Sequence, residues 1–493
     1  MPMIFSANKS YIIFPMDTII LFVILFLLIS FVGIVVFRKR FKGKRIKVFG
    51  IWVGAWLLIG GFLFWVGAFG KFVDSQTINI KEYTKVELTQ DLQELEKHIL
   101  EENPLYFADK IKLNELFNNA YNNIEDGMSE LEFYRLINPI VAAVNCGHTN
   151  LSISKALYEN RKDTAKFFPL KVTLVDNHLY VIENDPSSGI FAGDELLTIN
   201  GKTSEEIISI LINNTSGDGD YESKRRFLIS KHFNSKFYDF VDSSDRFEVD
   251  LVGADGETKN AKLQAIPRKD FNTTAWDAHF VETKDGNYFE SKIFEDYAVL
   301  TIKMFANENE NKFDGFLADF FEKLKAEKID HLIIDLRGNF GGDSFLAKKL
   351  LSYLTTQKFD YISSELPYYY RWLGFTKPVT PKNNLPNLEV VVLTDGAVFS
   401  TAAHFTALMK YHQLGTVVGA ETGGTYICTD GSKDVALKNT RLRLHYSTQL
   451  FKVKVKGMSE NSGVTPDIEV RPSIEDILKN KDVVMVAGVG QFK

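Results

Sequence analysis

The sequence predicts an α/β chain in which a strand-and-helix core follows an N-terminal helical part and two transmembrane helices. Three observations predict this. From about Tyr288 onward, short apolar runs alternate with amphipathic stretches, the rhythm of a sheet covered by helices. Before residue 155 the apolar spacing is helical. The first seventy residues contain two long apolar stretches without a charge, Thr18–Phe37 and Val48–Gly70.

Each of those stretches is long enough to cross a hydrocarbon core of about 30 Å as a helix. Between them lies RKRFKGKRIK, a short basic loop of the kind that stays in the cytoplasm. The expectation is a two-span hairpin over residues 1–70 (spans 18–37 and 48–70), with the chain that follows outside the cytoplasm, periplasmic or extracellular. A cleavable signal peptide fits less well, because no small-residue cleavage site follows the first run before the basic loop.

The remaining chain divides into three by pattern. Residues 71–165 read as a helical segment: LTQDLQELEKHILEENP carries apolar residues at helical spacing and stops before Pro104. In residues 166–282 the period shortens. LKVTLV, LYVIE and ELLTI are strands separated by DN, DPSSG and GD turns, and SEEIISILI opens a helix behind a serine cap. In residues 283–493, YAVLTIKM, HLIIDL and LEVVVLTD read as strands, HLIIDL and LEVVVLTD being apolar enough to be buried on both faces. NKFDGFLADFFEKLKAEK, SFLAKKLLSYL and STAAHFTALMKYH read as the helices between and after them. Residues 361–385, rich in Tyr and Pro, read as an insertion or flap whose YYYRW aromatics are suited to closing on a peptide.

The 493 residues carry a net charge of −6. Lys9 and the seven Lys/Arg between Arg38 and Lys47, against Asp17, leave residues 1–70 at +7, so the rest of the chain is at −13. An acidic body of this kind argues against nucleic acid as a partner. The two cysteines, Cys146 and Cys428, have neither CxxC nor Cys/His spacing, so no structural metal is expected. They are compatible with one disulfide or with two separate thiols.

Three motifs carry chemistry. In VVVLTDGAVFSTAAHF an apolar strand ends, small residues turn, and Ser400 opens a helix. A serine at such a junction stands beside unsatisfied backbone N–H groups that can receive an oxyanion, although many serines there are only helix caps. In DLRGNFGGD, Gly341 and Gly342 follow a buried strand and let the backbone turn sharply or approach a ligand; with no GK[ST] after them they are not a P-loop. In NCGHTNL, His148 lies in a loop among small and polar residues.

Taken together, NCGHTNL, FAGDELLTINGK, YAVLTIKM, HLIIDLRGNFGGD, VVVLTDGAVFSTAA, VVGAETGG and SENSGVTPDIEV resemble, in that order, the C-terminal-processing or tail-specific serine peptidases, over roughly residues 85–480. The resemblance implies a crotonase/Clp protease-like core with an inserted PDZ-like module, the latter on the strength of GDELLTINGK and without a clear GLGF-type carboxylate loop. It also implies Ser400 as nucleophile. In one branch the base is a lysine, and its position falls here on Thr425. The tricorn-like branch instead uses a histidine and a C-terminal glutamate, and matches better: His148 is the implied base and Glu460 its implied partner. The implied oxyanion hole is the N–H of Gly341, with Gly342 a near alternative, and the N–H of Thr401. Ala403 stands where the family often has an acidic residue, and Gly147 where the tricorn-like branch has a serine linking base to glutamate; Asn145 or Thr149 are candidates to replace that link. His404, one turn after Ser400, is a rival base, and Cys146 reads as a packing residue.

The resulting expectation is a membrane-anchored serine endopeptidase or C-terminal-processing peptidase, forming an acyl-enzyme on Ser400. It acts on proteins or peptides without metal or organic cofactor. An inactive peptidase-fold scaffold or peptide-binding protein is the alternative, and a hydrolase of small esters a third reading, since fold alone does not fix chemistry.

Overall fold

The computed structural model describes residues 81–271, 288–306, 310–363, 365–383 and 387–492. The fold expectation needs one correction. Among the described residues no helix is long and apolar enough to cross a membrane, so the α/β fold stands there without transmembrane helices. The stretches 18–37 and 48–70 lie outside the described residues, and so does the basic loop on which the extracytoplasmic location rested.

The helical layer is built as its periodicity predicts. Thr84 and Ser129 each cap a helix through a reciprocal capping box with Glu87 and Glu132. The helices Lys85–Lys97, Lys110–Asn123 and Glu130–Ala142 bury one apolar core, with Leu88, Leu92, Phe117, Phe133 and Ile137 at its centre.

Next comes an antiparallel sheet in the order Thr258–Gln264, Arg246–Val252, Glu195–Ile199, His178–Val181, Val172–Val175. Strict alternation buries Phe247, Val249 and Leu251 against the helices Ser204–Asn213 and Ser223–Phe240. The second helix begins where Lys224 Nζ donates to Gly147 O and runs into this module, burying Ile229, Phe233 and Phe237 there.

The main sheet runs Phe289–Ile293, Ala298–Ile302, His331–Asp335, Glu389–Thr394, Thr416–Gly419, Ile468–Glu469, parallel except for its first pair. Its central strands are apolar on both faces because both are covered. The helices Glu310–Glu327, Ser344–Leu354 and Thr401–Tyr411 belong to one core. On the opposite face Val484 packs with Ile333, Val391 and Leu393. The loops leaving the strands His331–Asp335 and Glu389–Thr394 carry the glycine motif and Ser400, at the carboxyl edge where open α/β sheets place their sites. The segment read as a flap contains the short helix Tyr368–Trp372 and is tied down at its base by bridges Phe359↔Val379 and Ile362↔Val453.

The histidine loop is held from a distance. Directly after it, the strand Asn150–Ser152 pairs with Arg443–Tyr446, Leu151 opposite Leu444. The hairpin turn before Arg443 is clamped by Asp91, which is fully buried. Asp91 Oδ1 accepts from the Asn439 N–H at 2.8 Å and Nδ2 at 2.9 Å, and Oδ2 accepts from the Thr440 N–H at 2.8 Å and Oγ1 at 2.6 Å. Asp91→Ala leaves these buried donors unmet, and the expected loss is about 3 kcal/mol of unfolding free energy. Urea denaturation checks it; a loss below about 1 kcal/mol would show that the clamp is dispensable.

Candidate active site

Ser400 sits at a turn that ordinary residues avoid. Its φ is 54° and ψ −126°, left-handed for a residue with a Cβ. Such a conformation costs about 1–3 kcal/mol and persists only where the surroundings enforce it. They do so here through Asn339, also fully buried. Its carbonyl accepts the Phe399 N–H at 3.1 Å, its Nδ2 donates to Ile302 O at 2.7 Å, and its Oδ1 accepts the Gly341 N–H at 2.8 Å. The bare Cα of Gly341 lies against the serine turn: a Cβ there would come within 2.7 Å of Ser400 Cβ and 2.9 Å of Thr401 N, and its φ of 104° again calls for glycine.

His148 reaches this serine from 252 residues away in sequence, Nε2 lying 3.1 Å from Ser400 Oγ. Its ring leans on Phe399, the serine's neighbour, at 4.6 Å between centroids. The loop carrying it is bolted to the 215–225 region. Gly147 N–H donates to Asp218 Oδ1 at 2.6 Å, Lys224 Nζ donates to Gly147 O at 2.8 Å, and Arg225 Nη2 donates to Asn145 Oδ1 at 2.9 Å. Burial above all, with the charges of Lys224 and His445, lowers the His148 pKa to about 4 against the opposing pull of Asp430.

The other residues expected at the site are distributed unevenly. Thr401 N–H opens the helix without an intrahelical partner, and its hydroxyl donates to Gly342 O at 2.6 Å. Gly341 N–H is already engaged by Asn339, whereas among the described residues the N–H groups of Gly342 and Thr401 make no hydrogen bond. Glu460 is not brought to His148. Its carboxylate accepts from Tyr106 Oη at 2.8 Å, Tyr426 Oη at 3.0 Å and Lys452 Nζ at 2.9 Å, and Lys452 first, then Tyr106, lower its pKa. His404 is buried with Nε2 unpaired; its backbone N–H donates to Ser400 O, and burial lowers its pKa to about 3. Thr425, at the lysine position of the other branch, donates to Ser459 O at 3.2 Å. Thr149 Oγ1 accepts from Asn103 and Ser447. Both cysteines are free and buried, with Cys146 Sγ 2.7 Å from Thr429 Oγ1.

Sequence reasoning missed four neighbours: Asp218, Lys224, Phe399 and Asp430. Lys224 Nζ lies 3.5 Å from the centroid of Phe399, and Asp430 Oδ2 lies 3.9 Å from His148 Nε2. Cys146 Sγ, a ring nitrogen of His148 and a carboxylate oxygen of Asp218 lie within 4.8 Å of one another, a grouping that offers metal ligands in kind. The Lys224 ammonium in the same pocket, acting on both Asp218 and Cys146, opposes a cation there.

Residues 296–470 match the model of peptidase family S41. That segment is a peptidase family S41 domain. The chain is accordingly a serine-type peptidase, and the strained serine with a histidine on its hydroxyl is the constellation such an enzyme requires. No curated protein matches the chain in sequence. Among solved structures, mature CPAF complexed with lactacystin superposes with a TM-score of 0.60 at 16% identity, covering 82% of this chain and 97% of that one. A second structure of mature CPAF gives 0.59 at 15%, covering 82% and 96%. At these identities the likeness speaks to the fold alone. The tricorn protease gives 0.37 at 15%, covering 82% and 36%. The S41 match begins after the antiparallel sheet and lends no support to a PDZ-like designation for it.

Gly147 explains why no serine precedes this histidine. A Cβ there would lie 2.4 Å from Lys224 Nζ and 2.5 Å from Phe399 Cζ. Gly147→Ala is therefore expected to shift the His148 loop and lower the rate of Ser400 labelling by a fluorophosphonate about 10²-fold, since a displacement near 1 Å has that effect. Melting should change little. Labelling at the wild-type rate would show that the loop absorbs the methyl group.

Proposed function

We propose that this peptidase cleaves peptide bonds as an endopeptidase or C-terminal-processing enzyme, through an acyl-enzyme on Ser400 with His148 as general base. The observation that carries the reading is the 3.1 Å approach of His148 Nε2 to Ser400 Oγ, made at a strained turn beside two unengaged N–H groups. The Ser400 proton passes to Nε2 as Oγ attacks the scissile carbonyl. The oxyanion is received by the N–H groups of Thr401 and Gly342, Gly342 standing in for Gly341 because the Gly341 N–H already serves Asn339. Nε2–H then protonates the leaving amine, and a water deprotonated by the same nitrogen releases the acyl group. His404 takes no part in this reading, its Nε2 being buried without a hydrogen-bond partner among the described residues.

Two outcomes test this. Ser400→Ala and His148→Ala should each reduce hydrolysis of an unfolded protein substrate and fluorophosphonate labelling by at least about 10³-fold. An unchanged Ser400→Ala enzyme sinks the reading, and labelling that survives His148→Ala returns His404 to candidacy. The base must be neutral to accept a proton, and burial lowers His148 to about 4, so protonation of His148 itself is expected to remove activity only as pH drops through about 4. A pH–rate profile of labelling whose acid limb lies above pH 6 contradicts it.

A further inference from the structure

One nitrogen of His148 addresses Ser400; the other, Nδ1, is buried and has no hydrogen-bond partner among the described residues. A histidine that serves as base to a serine needs an acceptor at Nδ1, which keeps the lone pair on Nε2 and steadies the imidazolium as it forms. Three carboxylates compete for that part. Glu460 is engaged by Tyr106, Tyr426 and Lys452 rather than by His148, and its side chain is 43% exposed. Asp430 faces Nε2, the nitrogen already turned to the serine, so it cannot serve the other one.

Asp218 has the right properties. It is fully buried, and Oδ1 is pinned at 2.6 Å by the N–H of Gly147, the residue directly before His148. Its Oδ2 is buried with no hydrogen-bond partner among the described residues. One of its oxygens and a ring nitrogen of His148 lie within 4.8 Å. A buried donor and a buried acceptor, both unmet, thus stand on neighbouring pieces of chain that are already fastened together. Leaving both unmet would cost about 1–3 kcal/mol each.

We propose that Asp218 is the positioning carboxylate of this site: Oδ2 accepts from His148 Nδ1–H, directly or through one water, and Glu460 does not take that part. The inference rests on the reading of Ser400 and His148 as nucleophile and base. The surroundings keep Asp218 available as a carboxylate. Burial pushes its pKa up to about 6, and Lys224, the Gly147 N–H and Arg225 pull it back against Asp430, so it is mostly ionised at neutral pH and its own protonation adds a partial fall in rate near pH 6, above the limb set by His148. The other titratable groups near the pair are Cys146, Tyr221 and Cys428, all pushed up by burial, together with His404 and His445.

Asp218→Asn is the discriminating change, because Oδ1 can still accept from Gly147 while the second oxygen becomes an NH2 donor facing Nδ1. On the purified chain, fluorophosphonate labelling is expected to slow at least about 10²-fold with KM for a protein substrate nearly unchanged. The acid limb should move to lower pH, since loss of a negative neighbour disfavours the imidazolium. Glu460→Gln should stay within about threefold of wild type. Asp218→Asn at the wild-type rate while His148→Ala is dead overturns the inference and leaves the base assignment standing. Wild-type labelling by His148→Ala overturns both. Should Asp218→Asn fail to fold, the 15N shifts of His148 in the wild-type protein decide instead. A proton on Nδ1 supports Asp218, and a proton on Nε2 at neutral pH rules it out.

Discussion

The contact between His148 and Ser400 joins a loop after the N-terminal helices to a turn in the main sheet, and the rest of the structure holds its two ends in register. Neither end could find the other by local propensity. The serine end is fixed by the sheet: buried strands deliver the loops 336–343 and 395–400 to the same edge, and Asn339 stitches Ile302, Gly341 and Phe399 together there. The histidine end is fixed by two other parts of the chain. The hairpin gripped by Asp91 pairs with the strand that follows His148, and the 215–225 segment bonds both sides of the peptide at Gly147. The antiparallel module therefore contributes to the site although it carries none of the expected catalytic residues.

Strain and burial act in complementary ways at this contact. The left-handed Ser400 costs conformational energy, and in exchange the hydroxyl and the Thr401 N–H stand at a helix start where an oxyanion can be met by backbone dipoles that need no reorganisation. The glycine loop has to be free of side chains for this, because the Cα of Gly341 occupies the space behind the serine. On the histidine side, burial keeps the imidazole neutral and its lone pair free. The same burial makes any unpaired nitrogen expensive, so the surroundings of Nδ1 matter more here than at an exposed histidine.

The core strands and helices of the main sheet were legible because each is a whole buried run or a whole amphipathic period: HLIIDL, VVVLT and NKFDGFLADFFEKLKAEK leave little choice. Ser400 was legible from its place between strand and helix, and His148 only once the motif order was seen as a set. Asp218 and Lys224 were not. SGDGD has the composition of any solvated turn, and ESKRRF that of an exposed helix start, yet Asp218 and Lys224 are buried by contacts made to Gly147, 71 and 77 residues upstream. Periodicity reports which face of an element is apolar; it carries nothing about a polar loop covered by another loop. Glu460 illustrates the converse. Its place beside GVTPD marked it in sequence, but Tyr106, Tyr426 and Lys452 claim its carboxylate, and none of those three bears a recognisable signal.

Lys224 makes the electrostatics of the pocket coherent. A buried carboxylate beside a buried imidazole is unfavourable unless something offsets its desolvation. The Lys224 ammonium does this while resting on the Phe399 ring and bonding Gly147 O, so one side chain touches the His148 loop, the neighbour of Ser400 and the field of Asp218. Burial lowers its own pKa to about 8, which keeps it charged at neutral pH. The lysine is thus a counter-ion that lets Asp218 remain ionised next to a neutral histidine. That is the charge state the proposed mechanism requires: a base able to take a proton, with a negative group behind it to stabilise the cation that results.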